Sequence, residues 1–527
     1  MPASPAADRR TGFLVLKGAA LRVLSMTVNI VGTFFLLPFM IFHLGDYWYG
    51  VWALIGAVIV QYHILDFGIS QTVVRFISKH RAERATPEAT AIFSTALGAF
   101  SVFGLLSFIG VCFIAGHAGD WVENPAEGDL LALTILLAGA TMCCAFPTYA
   151  VEGYYTGAMR QDVLSTLQII RTVLRLSLTY YFMSEGYSIV ALAAISLGCD
   201  SLYRIKIALL LRYFVAEAKF DWKSISFACL KSMFRFGRFV FLINIARYSV
   251  IHSSMIVTGW MVGVAAATTY AIAINIIDRL EGIVRMALFM TMPAFTGIAT
   301  EQSQKRLLQD RYLMVSRLVT FGVTTICGGL IVAGQPFVAA WMGPDYLAAY
   351  WPLAILAAAW MADLSQVPAM LLLTAVGQHQ RFSIFEAGIA VCCLVLSIIL
   401  ASLYGLVGVA LGVAIPVAFS ALVLKPWFAA KALGLPRSRL YQEGGKVWLG
   451  CIAMQAPIWL LLQQQSELSL VELAIFGAIT YGPTSIVGAA MLLPASDQRY
   501  ILGLLPARVR APAKRLLPYL RAPAGQS

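Results

Sequence analysis

Charge is scarce in this sequence. Only 12% of its 527 residues are Asp, Glu, Lys or Arg, whereas 60% are hydrophobic. Ordinary soluble domains carry roughly 25% charged residues, and no soluble core could bury this much apolar sequence. The scarcity excludes a soluble enzyme or binding module and indicates an all-α polytopic membrane protein.

Motifs for catalysis and cofactor binding are missing as well. The sequence contains no Walker A stretch, no HExxH pair and no dinucleotide fingerprint. Its six histidines are scattered without the spacing of metal ligands. None of the nine cysteines falls in a predicted external loop, which argues against a disulfide framework. We therefore expect neither an enzyme nor a protein with a metal or cofactor.

Long apolar runs make up most of the chain. About fourteen of them have the roughly 20 residues that a spanning helix needs. One of these runs, 50–78, contains Asp66 and Arg75. Ionisable groups in hydrocarbon should face a protein interior or a water-filled cavity. The predicted spans are 17–43, 50–78, 90–115, 130–153, 163–183, 188–213, 237–260, 267–297, 313–341, 350–375, 382–402, 408–428, 446–463 and 470–494.

Positive charge is absent from every second loop between these spans. The loops without Lys or Arg are 44–50, 116–130, 183–188, 260–268, 342–350, 402–408 and 463–470. The other loops and the two ends of the chain hold the basic residues, and the formal net charge is +12. The positive-inside rule places this basic set, and both termini, in the cytoplasm. We assign the positive charge to the membrane surface and expect no nucleic-acid partner.

Residues recur at a fixed spacing in the two halves of the chain. Tyr270 follows Tyr49 by 221 residues, and Pro368 follows Pro147 by the same distance. Further pairs at similar spacing are Arg160 with Arg381 and Gly186 with Gly405. Six predicted spans separate equivalent positions, so the two copies have the same topology. The sequence predicts two pseudo-symmetric six-helix lobes around a central cavity, plus two extra C-terminal helices; chance matches in an apolar chain are the alternative.

The repeat sets the expected domain organisation. Lys219 to Arg235 has the pattern of a basic, amphipathic interfacial helix, with an ordinary linker as the alternative. The chain from Pro506 onward is rich in Pro, Ala and Arg, which predicts a disordered tail near anionic lipid headgroups. The predicted parts are a cytoplasmic N-terminus (1–16), an N-lobe (17–213), a linker (214–236), a C-lobe (237–428), a second linker (429–445), two extra spans (446–494) and a basic cytoplasmic tail (495–527).

Cations within the spans are the candidate site. Arg171 and Arg175 lie one helical turn apart in the fifth span, where they repel each other unless an anion or an acid lies between them. A mid-span arginine costs at least about 2.5–3.5 kcal/mol on insertion scales. We therefore expect a wet, cationic cavity. Its candidate lining residues are Arg171, Arg175, Arg247, Arg22, Arg279 and Arg285.

Acids within the spans are candidates for coupling an ion or for pairing with these arginines. The four acids are Asp66, Asp278, Asp363 and Glu386. Simpler interpretations stay open for several of the charges. Arg22 can snorkel to the cytoplasmic interface, and Arg285 can form an ion pair with Glu281 at i,i+4 spacing. Glu152 and Arg160 lie close enough to the inner interface to be solvated loop residues.

Several short motifs resemble those of a known family. The stretches concerned are Leu44-Gly45-x-x-x-Tyr49-Gly50-x-Trp52-Ala53, Ile64-Leu65-Asp66-Phe67-Gly68-Ile69-Ser70, Phe236-Gly237-Arg238 and Met342-Gly343-Pro344-Asp345-Tyr346. They resemble the polysaccharide flippases of the multidrug/oligosaccharidyl-lipid/polysaccharide (MOP) exporter superfamily, and the likeness covers most of residues 15–430. Two spans beyond the repeat resemble the arrangement in the lipid II flippase branch.

The resemblance implies a transport mechanism. Two six-helix lobes would alternate access to a central cavity, driven by an ion (proton or sodium) or by the membrane potential. The substrate would be an undecaprenyl-diphosphate-linked oligosaccharide, carried across the bacterial inner membrane for O-antigen or exopolysaccharide synthesis. We expect a monomer that meets membrane lipids and the polymerase and glycosyltransferases of its pathway. A multidrug or metabolite cation antiporter, which would favour an acidic cavity, is the alternative; a membrane glycosyltransferase or polymerase would need larger external loops.

Overall fold

The computed structural model of the chain describes residues 5–61, 65–83, 86–122, 124–215, 217–289, 295, 305–376, 378–462 and 468–504. Within these ranges the chain is helical and contains no β-strand, which confirms the predicted all-α class. The helices are α1 (Pro5–Gln61), α2 (Ile69–Ala82), α3 (Thr86–Gly116), α4 (Pro125–Cys143), α5 (Ala145–Gly157), α6 (Gln161–Ser184), α7 (Ile189–Phe214), α8 (Phe227–Met261), α9 (Val264–Phe289), α10 (Lys305–Met342), α11 (Tyr350–Ser365), α12 (Val367–Ala375), α13 (His379–Phe419), α14 (Lys425–Leu433), α15 (Arg437–Leu462), α16 (Leu470–Leu492) and α17 (Ala495–Leu504).

Helices that could span a membrane occur along most of the described chain. Among the described residues, eight helical segments are long and apolar enough to cross a bilayer. They are Lys17–Ile59, Thr86–Gly116, Pro125–Gly157, Arg306–Met342, Pro344–Ala375, Gln380–Leu433, Arg437–Leu462 and Leu470–Leu492. Helices α6 to α9 also coincide with predicted spans, although they carry more polar side chains. The count of fourteen spans therefore remains a prediction.

The run predicted as one span over 50–78 is interrupted. Helix α1 ends at Gln61 and α2 begins at Ile69, and between them Phe67 and Gly68 have φ of 49° and 72°. Asp66 explains the interruption, because its carboxylate accepts the backbone N–H of Ser70 at 3.0 Å and the Ser70 hydroxyl at 2.7 Å. A carboxylate that accepts one of the free N–H groups of a first turn stabilises the start of a new helix.

Glycine is needed at the turn before α2. A Cβ atom at Gly68 would lie 2.5 Å from the carbonyl oxygen of Gly237 in α8, so the two backbones are in direct contact. The positive φ of Gly68 also favours glycine over any residue with a side chain. This contact places the start of α2 against α8.

Two breaks recur at positions that the sequence repeat pairs. Helices α4 and α5 are separated just before Pro147, and α11 and α12 are separated just before Pro368. Gly186 has φ of 80° after α6, and Gly405 has φ of 56° at the bend inside α13. Because the same local geometry appears at matched positions, these features agree with two copies of one unit.

The chain forms two compact units, Met1–His252 and Ser253–Ser527, which we call the N-terminal and C-terminal units. The core of the N-terminal unit is formed mainly by α2, α3, α5 and α7, with contributions from α6 and α8, and contains fully buried aromatic side chains such as Phe100, Phe146 and Tyr155. The Tyr155 hydroxyl donates to the carbonyl of Ile207 at 3.0 Å and so ties α5 to α7. The core thus fixes α5 and α7 relative to each other.

The segment predicted as an interfacial helix from Lys219 to Arg235 becomes helical only at Phe227. Before it, Asp221 caps a short 3-10 turn at Trp222–Ser224. Its carboxylate accepts the Lys223 N–H at 3.1 Å and the Ser224 hydroxyl at 2.6 Å, and these hydrogen bonds lower the pKa of Asp221. From Phe227 onward, α8 continues without a break into the seventh predicted span. The predicted lobe and linker boundaries remain predictions.

The first residues of the predicted basic tail pack against the C-terminal unit. Arg317 of α10 donates to the Asp497 carboxylate of α17 at 2.7 and 3.1 Å, and to Glu443 of α15 at 3.0 Å. Only 1% of Asp497 is exposed. One arginine thus joins three helices. The stretch from Pro506 to Ser527, predicted to be disordered, lies outside the described residues.

Candidate functional site

The N-terminal unit contains an open cavity of about 430 Å³, which we call the arginine cavity. Helices α1, α4, α5, α6 and α7 contribute its walls. Its lining residues are Trp52, Ile59, Ala138, Thr141, Met142, Ala145, Thr148, Tyr149, Glu152, Gln168, Arg171, Arg175, Ser196, Asp200, Tyr203 and Arg204. Ligand pockets typically measure about 300–1,000 Å³, so this volume suits a small ligand or the headgroup of a larger one.

Helical spacing explains why these polar groups meet. Residues three, four, seven or eight positions apart lie on one face of a helix. The face of α6 carries Gln168, Arg171 and Arg175, and that of α7 carries Ser196, Asp200, Tyr203 and Arg204. Because α6 and α7 are consecutive, antiparallel neighbours joined by a short turn, both polar faces line the same space.

Asp200 lies between two arginines of the cavity. One of its carboxylate oxygens is 3.3 Å from Nη1 of Arg171, and the other is 3.8 Å from Nη2 of Arg204. The Arg204 guanidinium also donates to the carbonyl of Thr141 at 2.6 Å. The Arg171 guanidinium lies over the ring of Tyr203, 4.8 Å from its centre. Asp200 therefore positions the guanidinium groups of both arginines, and Tyr203 packs against that of Arg171.

The contact between Arg171 and Asp200 leaves hydrogen-bonding capacity unused. Nε of Arg171 and Oδ1 of Asp200 are both buried, and neither has a hydrogen-bond partner in the described structure. A buried polar atom without a partner costs about 1–3 kcal/mol. Such atoms in a cavity wall are ready to accept a ligand that supplies the missing partner.

Glu152 lies in the cavity lining, and its carboxylate accepts the Tyr203 hydroxyl at 3.0 Å. The expectation that Glu152 is a solvated loop residue is therefore wrong, because α5 extends past it and turns it toward α7. Arg160, grouped with it by sequence, instead pairs with Asp162 at 3.0 Å. The charged residues that line the cavity are therefore three arginines and two carboxylates.

Sequence reasoning found Arg171 and Arg175 but missed Arg204. Its signal is the i,i+4 spacing from Asp200 inside an apolar run, the same kind of signal that singled out the other two. The structure does not place Arg22 or Arg247 among the residues that line this cavity. Arg22 is exposed on α1, and Arg247 is exposed on α8 with its guanidinium 5.0 Å from the centre of the Tyr248 ring.

The remaining candidates belong mostly to the C-terminal unit. Five charged side chains there form what we call the lysine cluster: Glu281, Arg285, Asp363, Glu386 and Lys425. Asp278 and Arg279 lie on α9 beside it in sequence, both partly buried and both in contact with other groups. Asp66 lies in the N-terminal unit, where it caps α2.

Contacts within the lysine cluster are direct. Lys425 contacts Asp363 and lies 3.9 Å from Glu386. Arg285 donates to Glu281 at 2.6 Å, as the i,i+4 alternative predicted, and lies 3.9 Å from Asp363.

Neutral donors complete the lysine cluster. The Trp360 indole N–H donates to Glu281 at 2.8 Å, and the Ser420 hydroxyl donates to Glu386 at 2.5 Å. Ser420 opens a five-residue π-helical turn, Ser420–Leu424, that directly precedes Lys425. A π-helix has i→i+5 backbone hydrogen bonds and is wider than an α-helix, and at this turn both Ser420 and Lys425 approach Glu386.

Comparison with known proteins identifies the fold. Residues 44–350 match the family described as "Polysaccharide biosynthesis protein". EpsK of Bacillus subtilis (strain 168), an uncharacterized membrane protein, is 23% identical over 486 residues, which cover 88% of this chain and 92% of that protein. The lipid II flippase MurJ in an inward closed conformation has a TM-score of 0.68 at 13% identity, covering 92% of this chain and 100% of that chain. An inward-facing MATE multidrug transporter of the MOP superfamily has a TM-score of 0.63 at 14% identity, covering 80% and 99%. The chain thus has the fold of MOP-superfamily transporters.

Proposed function

This chain belongs to the polysaccharide biosynthesis protein family, and from this premise we propose that it flips a lipid-linked oligosaccharide across a bacterial inner membrane. The substrate is an oligosaccharide on undecaprenyl diphosphate, destined for O-antigen or exopolysaccharide. Both termini lie in the cytoplasm, and a proton, a sodium ion or the membrane potential drives alternating access. The polymerase and glycosyltransferases of the same pathway act on either side of this step.

The arginine cavity is the observation that carries this proposal. Arg171, Arg175 and Arg204 line one small space within apolar helices. A guanidinium binds phosphate oxygens through two parallel N–H donors, so three of them suit a diphosphate. In the proposed complex the phosphate oxygens satisfy the unpartnered Nε of Arg171. The lipid tail stays in the bilayer.

The acids of the two units play different parts in this proposal. Asp363 and Glu386 are already paired with Lys425, which supports a structural role for both. Asp66 caps a helix. Asp278 remains the candidate for coupling transport to an ion.

A multidrug or metabolite cation antiporter is the second candidate. Glu152 and Asp200 line the same cavity, and carboxylates in an apolar surrounding suit a cationic ligand. The two functions make opposite demands on charge, because a diphosphate needs the arginines and a cation needs the acids. Replacing each set separately therefore distinguishes them.

The test is polymer export in a strain that lacks its own flippase. We expect Arg171→Ala, Arg175→Ala and Arg204→Ala each to lower export by about tenfold or more, since a hydrogen bond to a charged group contributes about 1.5–3 kcal/mol. Lysine at these positions should retain part of the activity, and glutamate should abolish it. Arg212→Ala is the matched control, because Arg212 is exposed near the end of α7.

Immunoblots of the membrane fraction keep the export result interpretable. All four alanine variants should accumulate at comparable levels. Full complementation by all three cavity variants would overturn the proposal. Loss of cationic-drug resistance in Glu152→Gln and Asp200→Asn cells, with export unchanged, would establish the antiporter instead.

A further inference from the structure

The arginine cavity has two chemically different sides, and Tyr203 connects them. Its ring lies under the Arg171 guanidinium at 4.8 Å, and its hydroxyl donates to Glu152 at 3.0 Å. Glu152 and Arg171 therefore contact the same tyrosine, one at its hydroxyl and the other at its ring face. A sugar joined directly to a diphosphate lies close to the phosphate oxygens. A diphosphate at Arg171 thus brings its first sugar next to Glu152.

The Glu152 carboxylate has acceptor capacity for that sugar. Its only hydrogen bond in the described structure is the one from Tyr203, made by Oε1. An ionised carboxylate accepts about four hydrogen bonds and donates none. It therefore suits partners that donate, namely sugar hydroxyl, amide or ammonium groups.

Aromatic rings belong to the same cavity lining. Trp52, Tyr149 and Tyr203 all line the cavity together with Glu152. Such rings offer a broad apolar face with little conformational freedom to lose, while Tyr and Trp keep a polar edge for hydrogen bonds. Rings next to a carboxylate fit the apolar C–H face and the polar rim of a pyranose. The cavity volume of about 430 Å³ accommodates a diphosphate and one such ring.

We propose that Glu152 selects the first sugar of the substrate, accepting neutral and amino sugars and rejecting sugars that carry a carboxylate. This inference rests on the proposed function, because the diphosphate at Arg171 positions the sugar. A uronic acid brings a second negative charge beside Glu152, and like charges a few ångströms apart repel. An amino sugar instead pairs its ammonium group with the carboxylate.

Binding to the purified full-length protein in nanodiscs tests this selection. The probes are farnesyl diphosphate alone and farnesyl diphosphate carrying glucose, glucosamine or glucuronic acid, and the readout is the Kd from titration calorimetry. The unmodified protein should bind the glucose and glucosamine probes at least about tenfold more tightly than the glucuronic acid probe, since one like-charge contact at intermediate dielectric exceeds about 1.4 kcal/mol.

Glu152→Gln keeps the acceptor for Tyr203 and removes the charge. In this variant the preference should fall to about twofold or less, because glutamine neither repels the carboxylate of the glucuronic acid probe nor attracts the ammonium group of the glucosamine probe. Glu88→Gln is the matched control, since Glu88 is an exposed acid at the start of α3, and it should retain the full preference. The ranking of probes in the unmodified protein tests the inference even if the Glu152 variant does not fold.

Two failures can be told apart. If farnesyl diphosphate alone binds equally well to Arg171→Ala and to the unmodified protein, the proposed diphosphate site is wrong. If Arg171→Ala weakens that binding, but the unmodified protein does not discriminate against glucuronic acid or Glu152→Gln leaves the preference unchanged, the selection by Glu152 is wrong and the diphosphate site stands.

Discussion

The arginine cavity and the lysine cluster both combine basic side chains with carboxylates, and they differ in how those charges are satisfied. In the lysine cluster, the Lys425 side chain is 5% exposed and contacts Asp363 directly. In the arginine cavity, the Arg171 side chain is 26% exposed, and its Nε has no hydrogen-bond partner among the described residues. Buried charges that are fully paired hold helices together, whereas charges that face an open space with unused donors are available to a ligand.

The largest expected effect is the loss of Lys425. Methionine at this position removes the ammonium group that contacts the buried Asp363, and breaking a buried ion pair by removing one partner costs about 3–5 kcal/mol. That is a large part of the usual total stability of about 5–15 kcal/mol. We expect Lys425→Met to be nearly absent from the membrane fraction on immunoblots. Purified protein should unfold at a clearly lower temperature.

Lys431→Met is the control for this effect. Lys431 lies on the same helix, is exposed, and has its ammonium group 5.5 Å from the Trp427 ring. Its loss should change the melting temperature only slightly, since exposed charges contribute about 0–1 kcal/mol. A Lys425→Met protein that accumulates and melts like the unmodified one would show that the cluster is not structural.

A smaller effect is expected from Asp200 in the arginine cavity. Asparagine keeps the shape of the side chain but removes the charge that holds Arg171 and Arg204. We expect Asp200→Asn to lower polymer export by about three- to tenfold, because asparagine can still accept from an arginine and only part of a hydrogen bond's contribution, about 0.7–1.4 kcal/mol, is lost. Abundance in the membrane should stay within about twofold.

The conservative variant separates positioning from a purely structural role. Asp200→Glu should recover part of the export, because the carboxylate can still reach one arginine. Increased export in Asp200→Asn would instead mean that Asp200 competes with the substrate for Arg171. If Asp200→Asn were as scarce in the membrane as Lys425→Met, Asp200 would be structural too. The arginine cavity and the lysine cluster would then not differ in the way proposed.

The sequence predicted the helical membrane class and named two of the three arginines that line the arginine cavity. Apolar runs of spanning length fix the class, and the spacing of Arg171 and Arg175 on one helix face identifies the cationic wall. Both signals are local, so they can be read without a fold. The interruption at Asp66 was not predicted, because a carboxylate that caps a helix and one that faces a cavity look alike in an apolar run.

Long-range pairing accounts for the rest of what the sequence left open. Lys425 and Asp363 are 62 residues apart, and nothing in either stretch specifies the other. The partners of Arg171 also come from another helix, α7. The spacing of Arg171 and Arg175 along α6 was therefore equally compatible with an ion pair inside the protein and with binding of a ligand. Glu152 was assigned to a loop because it lies near the end of a predicted span. Its position in the sequence does not show that α5 continues past it or that its side chain faces the cavity.

The most direct test of the account is the binding of farnesyl diphosphate to the purified protein, with farnesol as the uncharged comparison. The unmodified protein should bind the diphosphate at least about tenfold more tightly than farnesol, and this advantage should disappear in the Arg171→Ala, Arg175→Ala double variant. The Arg212→Ala control should keep it. An equal advantage in the double variant and the unmodified protein would contradict the claim that the arginine cavity binds the diphosphate.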